Sequence, residues 1–86
     1  MPEVSRFLGI VVRMNYNDHV PAHFHARYGK SKAVIGIESN EVLAGSLPKR
    51  IRGLVRQWAS IHRQELLENW TRSEQNLPLK RIEPLE

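Results

Sequence analysis

The 86-residue sequence contains no cysteine, which excludes a disulfide framework, a thiolate metal site and a cysteine nucleophile. Any metal must therefore be held by histidine and carboxylate groups. Long hydrophobic runs are missing as well: the longest, Phe7 to Val12, has six residues, and Met-Pro-Glu at the start carries no basic region of the kind that precedes an apolar leader. Neither a signal peptide nor a membrane span is expected, so a cytoplasmic protein without a membrane partner is. Acidic residues are outnumbered, nine against thirteen Lys and Arg, and the net charge of +4 permits a polyanionic partner without requiring one. Apolar residues at 41% and charged residues at 26% match ordinary globular usage, so the chain is expected to fold as a single domain over 1–86 with one small core.

Ser5 to Met14 alternates, with Leu8, Ile10, Val12 and Met14 on one side and Phe7, Gly9, Val11 and Arg13 on the other, which predicts a strand. Asn15 to Pro21 is a cluster of turn formers and reads as a loop. Ala22 to Tyr28 alternates again, with Ala22, Phe24, Ala26 and Tyr28 opposite His23, His25 and Arg27. Gly29-Lys30 fits a two-residue II′ turn with glycine first, and the return strand runs from Lys32 to Glu38. That loop length pairs Ala26 with Ala33, Phe24 with Ile35, His25 with Val34 and His23 with Gly36, so the apolar faces coincide. Val42 to Ala44 adds a short further strand.

Ser46 as N-cap, Pro48 in the first turn, and Ile51, Leu54, Val55, Trp58 and Ile61 at three-and-four spacing predict a helix to about Arg72. Beyond Ile61 the apolar positions Leu66, Leu67 and Trp70 rotate off the stripe, which implies a bend near His62. The tail over 77–86 is extended and Pro-containing, and its Leu77, Leu79, Ile82 and Leu85 are expected to pack on the domain or on a second copy in a homodimer. The fold class is α+β: an antiparallel meander of three to four strands packed on one long C-terminal helix.

The sheet face away from the helix carries the candidate chemistry. His23 and His25 sit at i and i+2 on a strand and point the same way, with Arg13, Arg27 and Lys32 near them and Gly9 and Gly36 leaving space. Such a pair is suited to acid–base cleavage of a phosphodiester, with His23 and His25 catalytic and Arg13 and Arg27 contacting the anion; no cofactor is then required. The same pair supplies two imidazoles to a metal, with Asp18 and His19 of the preceding loop as further ligand candidates. Solvent-facing polar residues and an Asx-type turn at Asn17-Asp18-His19 are the plain structural alternatives. His62 falls in the apolar stripe and reads as a hydrogen-bonded core histidine.

Lys49, Arg52, Arg56 and Arg63 project to one flank of the helix, whereas acids appear only from Glu65 onward. This order opposes the helix dipole by about 0.3–1 kcal/mol per charge, and binding of phosphates or of an acidic partner would offset it. No aromatics interleave these bases, so stacking on single strands is not indicated.

The segments Ser5-Arg6-Phe7-x-Gly9-Ile10, Asn17-Asp18-His19-x-Pro21-x-His23-Phe24-His25-Ala26, Gly45-Ser46-Leu47-Pro48 and Glu65-Leu66-Leu67-Glu68-Asn69-Trp70 resemble the small bacterial proteins grouped as domain of unknown function 4160. The family's Pro-Pro before His-Phe-His is here Pro21-Ala22. The resemblance implies a partner, a small protein encoded by the adjacent gene, in an arrangement like a toxin–antitoxin pair; it carries over no catalytic residues. The resulting expectation is a component of such a two-protein module that binds or cleaves RNA through the His-x-His pair and the basic flank. A non-catalytic module binding an acidic partner and a small His-based metal-binding domain are the alternatives.

Overall fold

The computed structural model describes residues 2–85. Five strands, β1 (Glu3–Phe7), β2 (Ile10–Arg13), β3 (His23–Tyr28), β4 (Ser31–Gly36) and β5 (Val42–Gly45), are followed by helices α1 (Lys49–Ile61) and α2 (Arg63–Glu74). The strands form one antiparallel sheet in sequential order, a meander. The α+β class holds, with one strand more than the upper expectation and two helices in place of one.

The extra strand arises from a turn within Ser5–Met14. Leu8 at φ 51° and Gly9 at φ 82° make a two-residue turn, and Phe7 pairs with Ile10. A turn with positive φ at both positions matches the twist of a hairpin, and glycine enters that region freely. A continuous strand would put Phe7 and Ile10 on opposite faces; the hairpin puts both into the core, leaving Leu8 exposed at the tip. Tyr28 occupies the space beside Gly9, and Ser39 and Leu43 fill that beside Gly36, so neither glycine opens room next to the histidines.

The β3–β4 hairpin follows the expected register throughout, including Ala26 with Ala33 and Phe24 with Ile35. Gly29, at φ 58°, takes the first turn position. At the end of β5, Gly45 has φ 74°, and a Cβ there would stand 2.2 Å from the Lys32 carbonyl oxygen, so the close approach requires glycine.

One sheet face, with Ile10, Val12, Phe24, Ala26, Ala33 and Ile35, is covered by Ile51, Val55, Trp58, Ala59 and Leu66 of the helices. Trp58 is fully buried, its ring 5.4 Å from Phe7 and 5.8 Å from Phe24, and its indole N–H donates to the Glu83 carbonyl at 2.8 Å. The helix breaks at His62, where φ is −109° and ψ 25°. The His62 ring lies 5.5 Å from Trp58, with Nδ1 on the Glu65 carboxylate, so it is a hydrogen-bonded packing residue. Ile61 is exposed, unlike the rest of the stripe. Ser46 does not cap α1: its N–H donates to the Lys32 carbonyl in β4, and Pro48 takes the cap position without a side-chain bond.

The tail packs on its own domain. Ile82 is buried and its N–H donates to the Val4 carbonyl at 2.8 Å, while the Asn69 amide holds both the N–H and the carbonyl of Lys80. Glu86, the last residue of the expected tail segment, lies outside the described residues. Among the described residues no helix is long and apolar enough to cross a membrane.

Candidate functional site

Three sequence-distant pieces meet at the start of β3. The loop after β2 is tied to the end of α2: the Asn17 N–H donates to the Ser73 carbonyl at 3.4 Å and its amide to Asn76 at 2.9 Å. Asn17 and Asn76 both have φ above 50°, a region asparagine tolerates better than most residues. This docking sets Asp18 over β3, and α2 sets Trp70 against His23 at a ring separation of 5.2 Å.

His23 is therefore buried, at 3% exposure, and does not lie on an open face. The expectation fails at this one strand position because strand alternation cannot register that α2 covers the sheet end. Its Nδ1 lies 2.7 Å from the Pro21 carbonyl and its Nε2 2.9 Å from Asp18 Oδ2. A carbonyl only accepts, so Nδ1 carries a proton, and a neutral ring has none left for the Asp18 carboxylate. His25 follows the alternation: its side chain is 30% exposed, and its Nε2 is 3.4 Å from the same Oδ2. Asn15, which the sequence reading did not single out, places Nδ2 3.3 Å from Oδ2 and 3.4 Å from His25 Nε2, while its own Oδ1 is buried without a partner.

Asp18 is the hub. Burial works against its charge, but the His19 backbone N–H on Oδ1 and the histidine rings on Oδ2 outweigh it and hold the carboxyl well below the usual carboxylate range. The ligand atoms of Asp18, His23 and His25 all lie within 4.8 Å of one another. His19, the fourth metal candidate, stands outside this group with its ring on Asp18 Oδ1 and its side chain 85% exposed.

His25 also borders a groove of about 590 Å³ on the open sheet face. Arg13 faces His25 across the β2–β3 pair, and Arg27 faces Lys32 across β3–β4. Val11, Val34 and Ala44 form the apolar floor, and no carboxylate lines the groove. Glu3, opposite Arg13 on β1, is engaged by Arg6 and Arg81. Among the described residues Arg13, Arg27 and Lys32 make no salt bridge.

The helix flank is separate. Lys49, Arg52, Arg56 and Arg63 are all exposed, but α1 covers the Phe24 face of the sheet and the groove lies on the other. The structure thus brings Arg13, Arg27, Lys32 and His25 together and leaves the four helix cations on the far side. Trp70, which buries His23, is a further site residue that periodicity alone could not connect to the histidines.

The family model for the domain of unknown function DUF4160 matches residues 9–71, and the chain belongs to that family. The match takes in Asn15, Asp18, His23, His25 and Trp70, so the whole cluster lies inside the shared region. No curated protein and no solved structure matches the chain significantly.

Proposed function

We propose that the protein binds RNA by its phosphate backbone in the open-face groove and presents it to the Asp18–His25 centre for cleavage, as one member of a bacterial two-protein module of the toxin–antitoxin kind. The observation that carries this reading is a groove walled by Arg13, Arg27 and Lys32 with no carboxylate in its lining. Cations without a carboxylate partner are available for phosphates, and an apolar floor accommodates sugars and base edges. His25 is the acid–base residue, since it is accessible from the groove and oriented by Asp18. Proton transfer by such a group contributes roughly 10²–10⁴ to a rate. His23, buried against Trp70 with Nδ1 on the Pro21 carbonyl, is a positioning residue beside Asp18.

The test is binding of a labelled single-stranded RNA as a function of salt. Three phosphate contacts give a log–log slope of about −2, and Arg13→Glu with Lys32→Glu reduces it to about −0.7 at an almost unchanged thermal midpoint. No salt-dependent binding by the wild type would refute the reading. Incubation with total RNA, with and without chelator, then reads cleavage.

A second reading is favoured by the distance of the α1 flank from the groove: exposed Lys49, Arg52 and Arg56 fit an acidic surface of a partner protein, the product of the adjacent gene. Arg52→Glu with Arg56→Glu then abolishes co-purification with that partner and leaves RNA binding in the groove intact.

A further inference from the structure

The Asp18 cluster has more lone pairs than protons. With Nδ1 of His23 committed to the Pro21 carbonyl, its Nε2 turns a lone pair toward Asp18 Oδ2. His25 Nε2 faces the same oxygen, and the Asn15 amide directs an N–H at it. The His23 lone pair and the Asp18 carboxylate, two acceptors converging on one point, need either an additional proton or a cation, and His25 Nε2 stands close enough to join them as a ligand.

We infer that Asp18, His23 and His25 bind a divalent first-row transition ion of the zinc class, with the fourth position open toward the groove. In a tetrahedral site with bonds of about 2.0–2.1 Å, neighbouring ligand atoms stand about 3.3 Å apart. The His25–Asp18 distance of 3.4 Å already matches that edge, and the His23–Asp18 distance of 2.9 Å falls a few tenths short. A small outward rotation of the Asp18 carboxylate suffices. The surroundings are those of ligands held in advance: the second nitrogen of His23 is anchored on a backbone carbonyl, and the second oxygen of Asp18 on the His19 N–H. Two imidazoles and one carboxylate select zinc, cobalt, nickel or iron(II) over the oxygen-seeking magnesium and calcium. Asn15, whose Oδ1 is buried and unpartnered, lies against the same cluster through its Nδ2.

Binding of the ion does not depend on the RNA reading. What the ion does rests on it: a bound ion makes His25 a ligand, and the proton transfer assigned to that residue passes to a metal-bound water.

The experiment uses the untagged full chain, stripped with chelator and titrated with Zn²⁺ alone and with Co²⁺ alone. The expected result is one ion per chain, a zinc-dependent rise of the thermal midpoint, and visible cobalt absorption of a low-coordinate N/O site. His25→Ala and Asp18→Asn each weaken binding by roughly 100-fold or more, whereas His19→Ala changes it only a few-fold. Both principal variants alter partly exposed side chains, so circular dichroism is expected to show them folded; should one unfold, the other decides. Absence of saturable binding, or full binding in a folded His25→Ala or Asp18→Asn variant, overturns the inference. Zinc binding that persists in Arg13→Glu with Lys32→Glu, while RNA binding is lost, separates the two sites. RNA binding by a wild type that takes no zinc overturns the ion and leaves the groove.

Discussion

Replacing His23 and His25 one at a time by Asn tests the asymmetry of the pair. Strand alternation treats them alike, whereas the structure buries one and half-exposes the other. His23→Asn loses the ring packing on Trp70, about 0.5–1.5 kcal/mol, the Nδ1–H bond to the Pro21 carbonyl, about 0.5–1.5 kcal/mol, and the volume of a buried ring, about 1 kcal/mol. Asn can recover part of the polar contact, so the expected cost is about 2–4 kcal/mol. His25→Asn gives up a 3.4 Å contact at a partly solvated position and is expected to cost under about 1 kcal/mol. A domain of this size shifts its midpoint by roughly 4–8 °C per kcal/mol, which puts His23→Asn about 10–25 °C below the wild type. Urea unfolding followed by circular dichroism, in chelator so that metal linkage does not enter, measures both. Equal shifts, or a His23→Asn variant within 1 kcal/mol of wild type, would show that Trp70 does not cover His23 and that the polar end of β3 is open.

Three further outcomes are expected. Phe24→Ala truncates a fully buried side chain under Trp58 and should cost about 3–5 kcal/mol in urea unfolding; a loss below 1 kcal/mol would mean that the helices do not cover this face. Ser5 is fully buried with an unpartnered hydroxyl, so Ser5→Ala should stabilise by up to about 1 kcal/mol, and a clear loss would point to a partner. Hydrogen bonds from Arg6 and Arg81 lower the Glu3 pKa from 4.5 to about 2, so its contribution to stability is complete above pH 4.5 and is lost as pH falls toward 2; carboxyl NMR should show this titration, and Arg81→Ala should move it upward. A Glu3 that titrates near 4.5 would show that the pairs do not persist in solution.

The parts of the fold that were legible are those specified by local chemistry. Gly29 at the first turn position and two matching apolar alternations were enough to set the β3–β4 register residue by residue. The stripe from Ile51 to Trp58 located α1, and the rotation of Leu66, Leu67 and Trp70 off that stripe marked the break at His62. The hairpin inside Ser5–Met14 was hidden because Leu8 carries no turn signature; Gly9 in the middle of the alternation was the available signal, since glycine within a strand weakens it and often marks a bend. The N-cap was misplaced because Ser46 has the right side chain, but its N–H is drawn into a bond with the edge of β4.

The candidate site divides along the same line. Its residue types were legible: Asp18, His23 and His25 fall within eight positions, and Arg13, Arg27 and Lys32 follow from strand parity and register. Its geometry was not, because what distinguishes His23 from His25 comes from α2. Trp70 lies 47 positions after His23, and the loop that aims Asp18 is held by Ser73 and Asn76. A periodicity of two sees only the strand, so it reports two equivalent imidazoles where packing makes one anchored and one accessible. That inequality gives the cluster its chemical direction: the inner ring and the carboxylate are fixed by the domain, and the outer ring joins them to the groove. The basic flank of α1 shows the converse. Its charges are plain in the sequence, yet the sheet stands between them and the histidines, so a ligand held by one surface is out of reach of the other.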